Sequence, residues 1–228
     1  MKICYGINQS ELQRPSIVTL GIFDGLHLGH QRIMQTVASR AKATGLAATA
    51  LTFSPHPRAV LHPQSAPPLL QTFEQKTEGM KLLGIEQLVI LEFTRELAAL
   101  SAEDFTRKIL CQGLEAKEVY LGQGFAFGRG REGDFVKLKE FSNRYDFFAD
   151  EVPEVLLRKQ RISSSQIRSY LINGQVNLAR RMLGRPYALT SVVMEGRRVG
   201  RQLEFPTANL IPQNTVLHIN TSRRNLET

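Results

Sequence analysis

The sequence predicts an α/β protein built on a parallel sheet, and three observations carry that expectation. Short β-branched and apolar runs alternate with longer amphipathic segments, their order is strand, helix, strand, helix, strand, and the first strand runs straight into a glycine-bearing turn and a helix start. Residues 16–21 (SIVTLG), 47–53 (AATALTF), 87–93 (QLVILEF) and 118–122 (EVYLG) read as four buried strands. HQRIMQTVASRAKATG (30–45), TFEQKTEGMKLLG (72–84) and AEDFTRKILCQG (102–113) read as the helices between them, joined by right-handed crossovers. Ser101, three residues before Asp104, forms a capping box, and Gly45 and Gly113 stand where helix C-caps belong. The proline-rich HPQSAPPLL (62–70) is expected to be a stiff loop over the strand ends, where ligands of open α/β sheets sit.

At 228 residues and 42% hydrophobic content, the chain can bury one good core and carry a smaller second piece. The formal charge of +8 suits an anionic partner, but the Lys and Arg are spread along the chain as on a solvated face. With no Trp and no basic stripe interleaved with aromatics, nucleic acid is not the expected partner. Cys4 and Cys111 lie far apart without metal-ligand spacing, so neither a disulfide framework nor a zinc site is expected, and no metal ligands are assigned. The N-terminal MKICYGINQSELQRP lacks the apolar core of a secretory signal, and no segment has the apolar length of a membrane span. A reducing, cytoplasmic setting is therefore expected.

The chemistry concentrates in VTLGIFDGLHLGHQ (18–31). The strand ends at Gly21, the turn carries Phe23, Asp24 and Gly25, and His27 and His30 flank Leu28-Gly29 at the mouth of a helix. Helix-start amides and two imidazoles on one bound phosphate chain suit nucleotidyl transfer, in which charge builds on the oxygens of the attacked phosphorus without a covalent enzyme intermediate. A lone histidine here would more often be structural; the pair in HxGH register is the specific sign. RISSSQIR (161–168) is a second phosphate-handling element: Ser163 followed by Gln166 caps a helix, with Arg161 and Arg168 on either side. Alone it would equally suit an ordinary capped helix. GQGFAFGRGREG (122–133), leaving a strand end, is glycine-rich enough to pass close to a nucleotide, although such loops often only turn the chain.

GIFDGLHLGHQ, LTFSPHPRAVL, GFAFGRGREG, ISSSQIR and GRQLEFPTANL occur in that order, and from about Ile17 to Leu210 the chain resembles the bacterial bifunctional riboflavin kinase/FAD synthetase family. The resemblance implies a Rossmann-like nucleotidylyltransferase domain over residues 1–184, joining FMN to ATP with Mg²⁺ to give FAD and pyrophosphate. It implies a truncated riboflavin kinase-like segment, an incomplete β-barrel, over 185–228. His27 and His30 would hold the triphosphate and steady the transition state. Arg161, Ser164, Ser165 and Arg168 would work on the β- and γ-phosphates, with Ser163 and Gly29 among the phosphate-binding positions. Phe53, His56, Pro57, Arg58, Phe125 and Phe127 would line the flavin and nucleotide cleft, and Thr207 and Asn209 would be the remnant of the kinase site.

The chain departs from the family pattern at two places. Gly124 stands where relatives carry Asp or Asn, removing a nucleotide-contacting side chain that Gln123, one position off, replaces poorly. Glu204 stands in place of a glycine in the kinase-like motif, and after Leu210 the match is expected to stop, so the chain is expected to lack riboflavin kinase activity and residues beyond about 211 to be mobile. The alternative reading is a non-catalytic relative that binds nucleotide or flavin as a sensor or partner protein. A transferase using another nucleotide is disfavoured by the FPTAN element.

Overall fold

The computed structural model describes residues 1–8, 10–194 and 209–216, with backbone alone for 209–211. Six strands form one parallel sheet: β1 (Lys2–Tyr5), β2 (Ser16–Leu20), β3 (Ala47–Ser54), β4 (Gln87–Glu92), β5 (Ala116–Gly122) and β6 (Phe148–Val152). They are ordered β1-β4-β3-β2-β5-β6. The four expected strands are the four inner ones. β1 and β6 were not expected, and the burial explains why: at the edges of the sheet only Cys4 of KICY, and only Ala149 and Val152 of FADEV, are buried, so neither segment has a continuous apolar run.

Helix α1 (Leu28–Thr44) leads from β2 to β3; α2 (Pro57–Leu61) and α3 (Phe73–Leu82) lead from β3 to β4. Short α4 (Arg95–Ala98) and α5 (Ala102–Phe105) follow, and α5 runs on as a π-type segment, Thr106–Gly113, before β5. Alternation along β2 divides the core: Ile17 joins Ile33, Met34 and Val37 of α1 and Met80 of α3, whereas Val18 and Leu20 join Phe105, Leu110 and, from α6 (Phe135–Tyr145), Leu138 and Phe141. With helices on both faces, the connections diverge at β2 and β5, one running out through β3 and the other through β6. That crevice is where open α/β sheets place their ligands.

Two helix ends differ from the expectation. Gly45 is the left-handed cap of α1 (φ 70°), but the π-type segment ends on Leu114 at φ −94°, and a Cβ on Gly113 would lie 2.5 Å from Ile7 Cγ2. Gly113 is therefore small for close packing rather than for a left-handed turn. Ser101 caps α5 by accepting from the Asp104 amide at 3.0 Å, but only this half of the expected capping box forms, because the Asp104 carboxylate accepts from the Ser101 hydroxyl instead, at 3.3 Å.

Beyond β6, a small hairpin of β7 (Leu156–Leu157) and β8 (Gln160–Arg161) leads to α7 (Ser164–Ile172) and α8 (Val176–Leu183), which closes on Gly184 at φ 72°. A third core cluster under these helices joins Leu70, Ile162, Ile167, Leu171, Ala179 and Met182 to Val216. The described C-terminal residues form one antiparallel ladder, β9 (Ser191–Met194) with β10 (Asn209–Pro212). Residues 213–216 do not match the expected loose tail: Asn214 and Val216 are 3% and 1% exposed. Apolar burial of Val216 and hydrogen bonds from Asn214 hold this stretch to the main domain. Thr207 and Glu204 lie outside the described residues, as does any further barrel strand within 195–208.

Candidate active site

The turn between β2 and α1 is held from behind by side chains. Lys76 Nζ donates to the Ile22 carbonyl at 2.9 Å and Gln71 Nε2 to that of Phe23 at 3.0 Å. Ser164 Oγ donates to the Asp24 carbonyl at 2.8 Å, and Arg185 Nη2 to that of Gly25 at 2.9 Å. The Leu26 carbonyl accepts from both Gln31 Nε2 at 2.8 Å and Arg185 Nη1 at 3.0 Å. Five successive carbonyls are thus fixed. In a planar trans peptide each carbonyl points opposite to the next residue's N–H, so the amides of residues 23–27 are aimed away from these donors. Such an array of amides at a helix start is an anion-binding surface.

The turn needs unusual backbone to do this. Phe23, Gly25 and Leu26 have φ of 51°, 86° and 40°, and a Cβ on Gly25 would meet Leu70 Cδ1 at 2.7 Å. Gly21 lies under the Phe23 ring, and Gly29 leaves room for the His27 imidazole, 3.2 Å from where a Cβ would stand. Buried Asp24 locks the back of the turn: its carboxylate accepts from the Leu70 amide, 3.0 Å to each oxygen, and from Arg168 Nη2 at 2.6 Å.

His27 is the N-cap of α1; its Nδ1 accepts a long bond, 3.4 Å, from the His30 amide, which leaves the ring proton on Nε2. The two imidazoles stack with centroids 3.6 Å apart, and Phe23 meets His30 edge-on at 5.3 Å. Burial, reinforced by the charge of Arg161, pushes His27 down to about 4. Burial, with His27 and Lys76 beside it, holds His30 well below the usual histidine range, and its buried Nδ1 has no partner among the described residues. Both rings are therefore neutral at pH 7, each able to donate one N–H. Burial also lowers Lys76, an effect opposed by Asp24.

Across the crevice, Ser163 caps α7 by accepting from the Gln166 amide at 3.3 Å. The Gln166 side chain does not return the bond but turns to Gln160 and Tyr170, so half of the expected capping box forms. Ser165 and Arg161 are exposed at this helix start; Arg161 Nη2 donates to the Gln123 carbonyl at 2.6 Å, and its Nε lies 3.3 Å from Glu154. Arg168, expected beside Arg161 on phosphates, is turned inward to Asp24 and the Pro68 carbonyl. The glycine-rich loop approaches from β5: Gly124 has φ 74°, and a Cβ there would stand 3.3 and 3.5 Å from the two terminal nitrogens of Arg161.

The remaining expected residues divide. His56 caps α2 through Nδ1, accepting from the Arg58 amide at 3.1 Å, and burial followed by the Arg168 charge lowers its pKa. Pro57 and exposed Arg58 begin the same short helix. Phe53 is half-buried, edge-on to Phe93 at 5.7 Å, and Phe125 is half-buried beside Phe127. Phe127 itself is only 6% exposed and packs on Phe105, so it belongs to the core rather than to a cleft wall. Asn209 lies in β10, opposite Met194. Sequence reasoning missed Lys76, Gln71, Gln31 and Arg185. The one available signal was Lys76, four residues before fully buried Met80 on the inner stripe of α3.

The chain is similar to known proteins over most of its length. The FAD synthetase family model matches residues 9–166 and the riboflavin kinase model residues 183–222, so the kinase-like match runs past Leu210, where it was expected to stop. A bifunctional riboflavin kinase/FMN adenylyltransferase of Buchnera aphidicola subsp. Schizaphis graminum is 34% identical over 212 residues, 92% of this chain and 68% of the relative. The protein of the same name from Escherichia coli K12 is 32% identical over the same shares. A solved structure described as a macrolide-efflux protein from Streptococcus pneumoniae superposes with a TM-score of 0.81 at 27% identity, covering 96% of this chain and 71% of that one. No helix among the described residues is long and apolar enough to cross a membrane. An HxGH turn at the switch point of a parallel sheet, together with the FAD synthetase match over residues 9–166 and relatives more than 30% identical, makes this chain a nucleotidyltransferase belonging to the bifunctional riboflavin kinase/FMN adenylyltransferase family.

Proposed function

We propose that this chain makes FAD by adenylyl transfer from MgATP to FMN, acting in the cytoplasm. The observation that carries the reading is the HxGH turn, its five successive carbonyls fixed by side-chain donors and neutral His27 and His30 stacked at the start of α1. A phosphate oxygen of FMN attacks the α-phosphorus of ATP; the bond from that phosphorus to the bridging oxygen of the β-phosphate breaks, and pyrophosphate leaves. The FMN phosphate is already anionic at neutral pH, so no general base is required.

Each protein group has a distinct part. The amides of 23–27 and the imidazole N–H groups donate to the non-bridging oxygens, where negative charge grows in the transition state. As that charge arrives, it favours protonation of the two imidazoles and strengthens their donation. Arg161 and Ser165 at the start of α7 meet the β- and γ-phosphates; Ser164 and Arg168 act through Asp24, holding the turn in place. Mg²⁺ enters with ATP as part of the substrate. Asp24 does not suit it as a resident ligand, because both of its oxygens accept from Leu70 and one from Arg168. Phe53, His56, Pro57, Arg58 and Phe125 line the flavin side.

We further propose that the chain does not phosphorylate riboflavin. The support is Glu204 within GRQLEFPTANL, a charged side chain where phosphate must pass close to the backbone. The first test is incubation of the purified protein with FMN, MgATP and pyrophosphatase, followed by chromatography of the flavins. FAD is the expected product; ATP binding without FAD would favour the sensor reading. Riboflavin in place of FMN is expected to give no FMN, and its formation would refute the second proposal.

A further inference from the structure

The strongest unassigned feature is a bridge between the riboflavin kinase-like stretch and the adenylyl-transfer turn. Asn214 is 3% exposed and fully engaged. Its Oδ1 accepts from the Thr190 amide at 2.8 Å, and its Nδ2 donates to Gln75 Oε1 at 2.9 Å and to the Leu70 carbonyl at 3.3 Å. The same Leu70 donates its amide to both oxygens of Asp24. One residue is therefore held through its carbonyl by Asn214 and through its amide by the carboxylate that pairs with Arg168. Gln75 ties the bridge to the capping box of α3 by accepting from the Thr72 amide at 3.0 Å. Beside it, Thr215 bonds the backbone of Leu69, and Val216 fills the cluster beneath α7.

We propose that residues 214–216 are a strut of the adenylyl-transfer site, with Asn214 a positioning residue that acts through Leu70 on Asp24. The proposal rests on the adenylyl-transfer reading above. Asp24 has no freedom of its own: its carbonyl takes Ser164 and its carboxylate takes Arg168, so the height of the 68–72 loop sets where the HxGH turn sits against α7. A displacement of under an ångström is enough to cost a transfer reaction its alignment. Because β10 ends at Pro212, two residues before Asn214, the strut belongs to the stretch matched by the riboflavin kinase model and not to the FAD synthetase match.

The test compares Asn214→Ala, and the milder Asn214→Ser, with Ser142→Ala. The last removes a 2.8 Å hydrogen bond from a buried hydroxyl to the Lys139 carbonyl within α6 and touches no residue of the strut. Hydrogen exchange at the Leu70 amide reads the link directly, whatever the substrate: about tenfold acceleration is expected in the Asn214 variants and none in Ser142→Ala, the loss of one buried hydrogen bond being about a factor of ten. In FAD synthesis, kcat should fall about tenfold in the Asn214 variants with KM for FMN unchanged, and stay at the wild-type value in Ser142→Ala. Unchanged Leu70 exchange in the Asn214 variants, or an equal kcat loss in all three variants, would overturn the proposal. A wild-type protein that forms no FAD while Leu70 exchange responds as expected would instead overturn the substrate reading and leave the strut standing.

Discussion

Acidification should destabilise the protein through His27, and replacing that residue by asparagine should remove the effect. In the folded chain burial holds His27 at about 4, whereas the unfolded chain takes the ordinary value of 6.5. As pH falls below 6.5, the unfolded chain binds a proton that the folded chain refuses; stability is therefore lost between 6.5 and about 4 and stays at the lower level below that. Integrating over this shift gives a loss of about 2 kcal/mol by roughly pH 5 and about 3 kcal/mol when complete. His30 acts in the same direction for the same reason. Asn at position 27 keeps a cap for α1, since a short carboxamide accepts from the first-turn amides, but carries no titratable group. Urea unfolding of both proteins near pH 7.5 and near pH 5 measures the difference: the stability of wild type relative to His27→Asn should drop by about 2 kcal/mol on acidification. Parallel pH dependences would refute the buried, neutral imidazole on which the site is built. Bound MgATP should shrink the acid loss, because the triphosphate stabilises imidazolium.

Three further outcomes follow from the same geometry. His30→Ala should lower kcat for FAD synthesis by about 100- to 1000-fold while unfolding stays cooperative and stability changes by under about 2 kcal/mol, since the ring is half-buried and its Nδ1 has no partner among the described residues; loss of cooperative unfolding would make its role structural. Asp24→Asn should cost about 3–5 kcal/mol in urea unfolding, because Arg168 would keep a buried charge with no counter-ion; a change under about 1 kcal/mol would show that Arg168 can turn to solvent. Gly124→Asn should raise the rate of FAD synthesis by up to about tenfold, as asparagine tolerates the positive φ and its carboxamide would reach the Arg161 guanidinium; an unchanged or lower rate would show that Arg161 already fills that place.

The inner sheet and the HxGH turn were legible because both are written in contiguous residues: strands buried on two faces need unbroken apolar runs, and the phosphate turn needs Gly and His at fixed offsets. The edges were not. β1 and β6 are half-covered, and their sequences carry the Lys, Glu and Asp of solvent-facing positions. Nor were the side chains that hold the turn. Lys76, Gln71, Arg185 and Asn214 lie 54, 48, 160 and 144 residues from their backbone partners Ile22, Phe23, Gly25 and Leu70, and no local pattern records such a meeting. Arg168 illustrates the other limit: spacing brought it to α7, but only packing shows that it faces Asp24 and not the crevice. Phe127 likewise fits the loop motif by position and the core by contact.

The most direct test of adenylyl transfer to FMN follows the label from ATP carrying radioactive phosphorus at the α or the γ position, in separate reactions with FMN and Mg²⁺. The α-label should appear in FAD and the γ-label in pyrophosphate alone, with His30→Ala forming both products about 100- to 1000-fold more slowly. A flavin product carrying the γ-label, or pyrophosphate released without α-label in any flavin, would contradict the account.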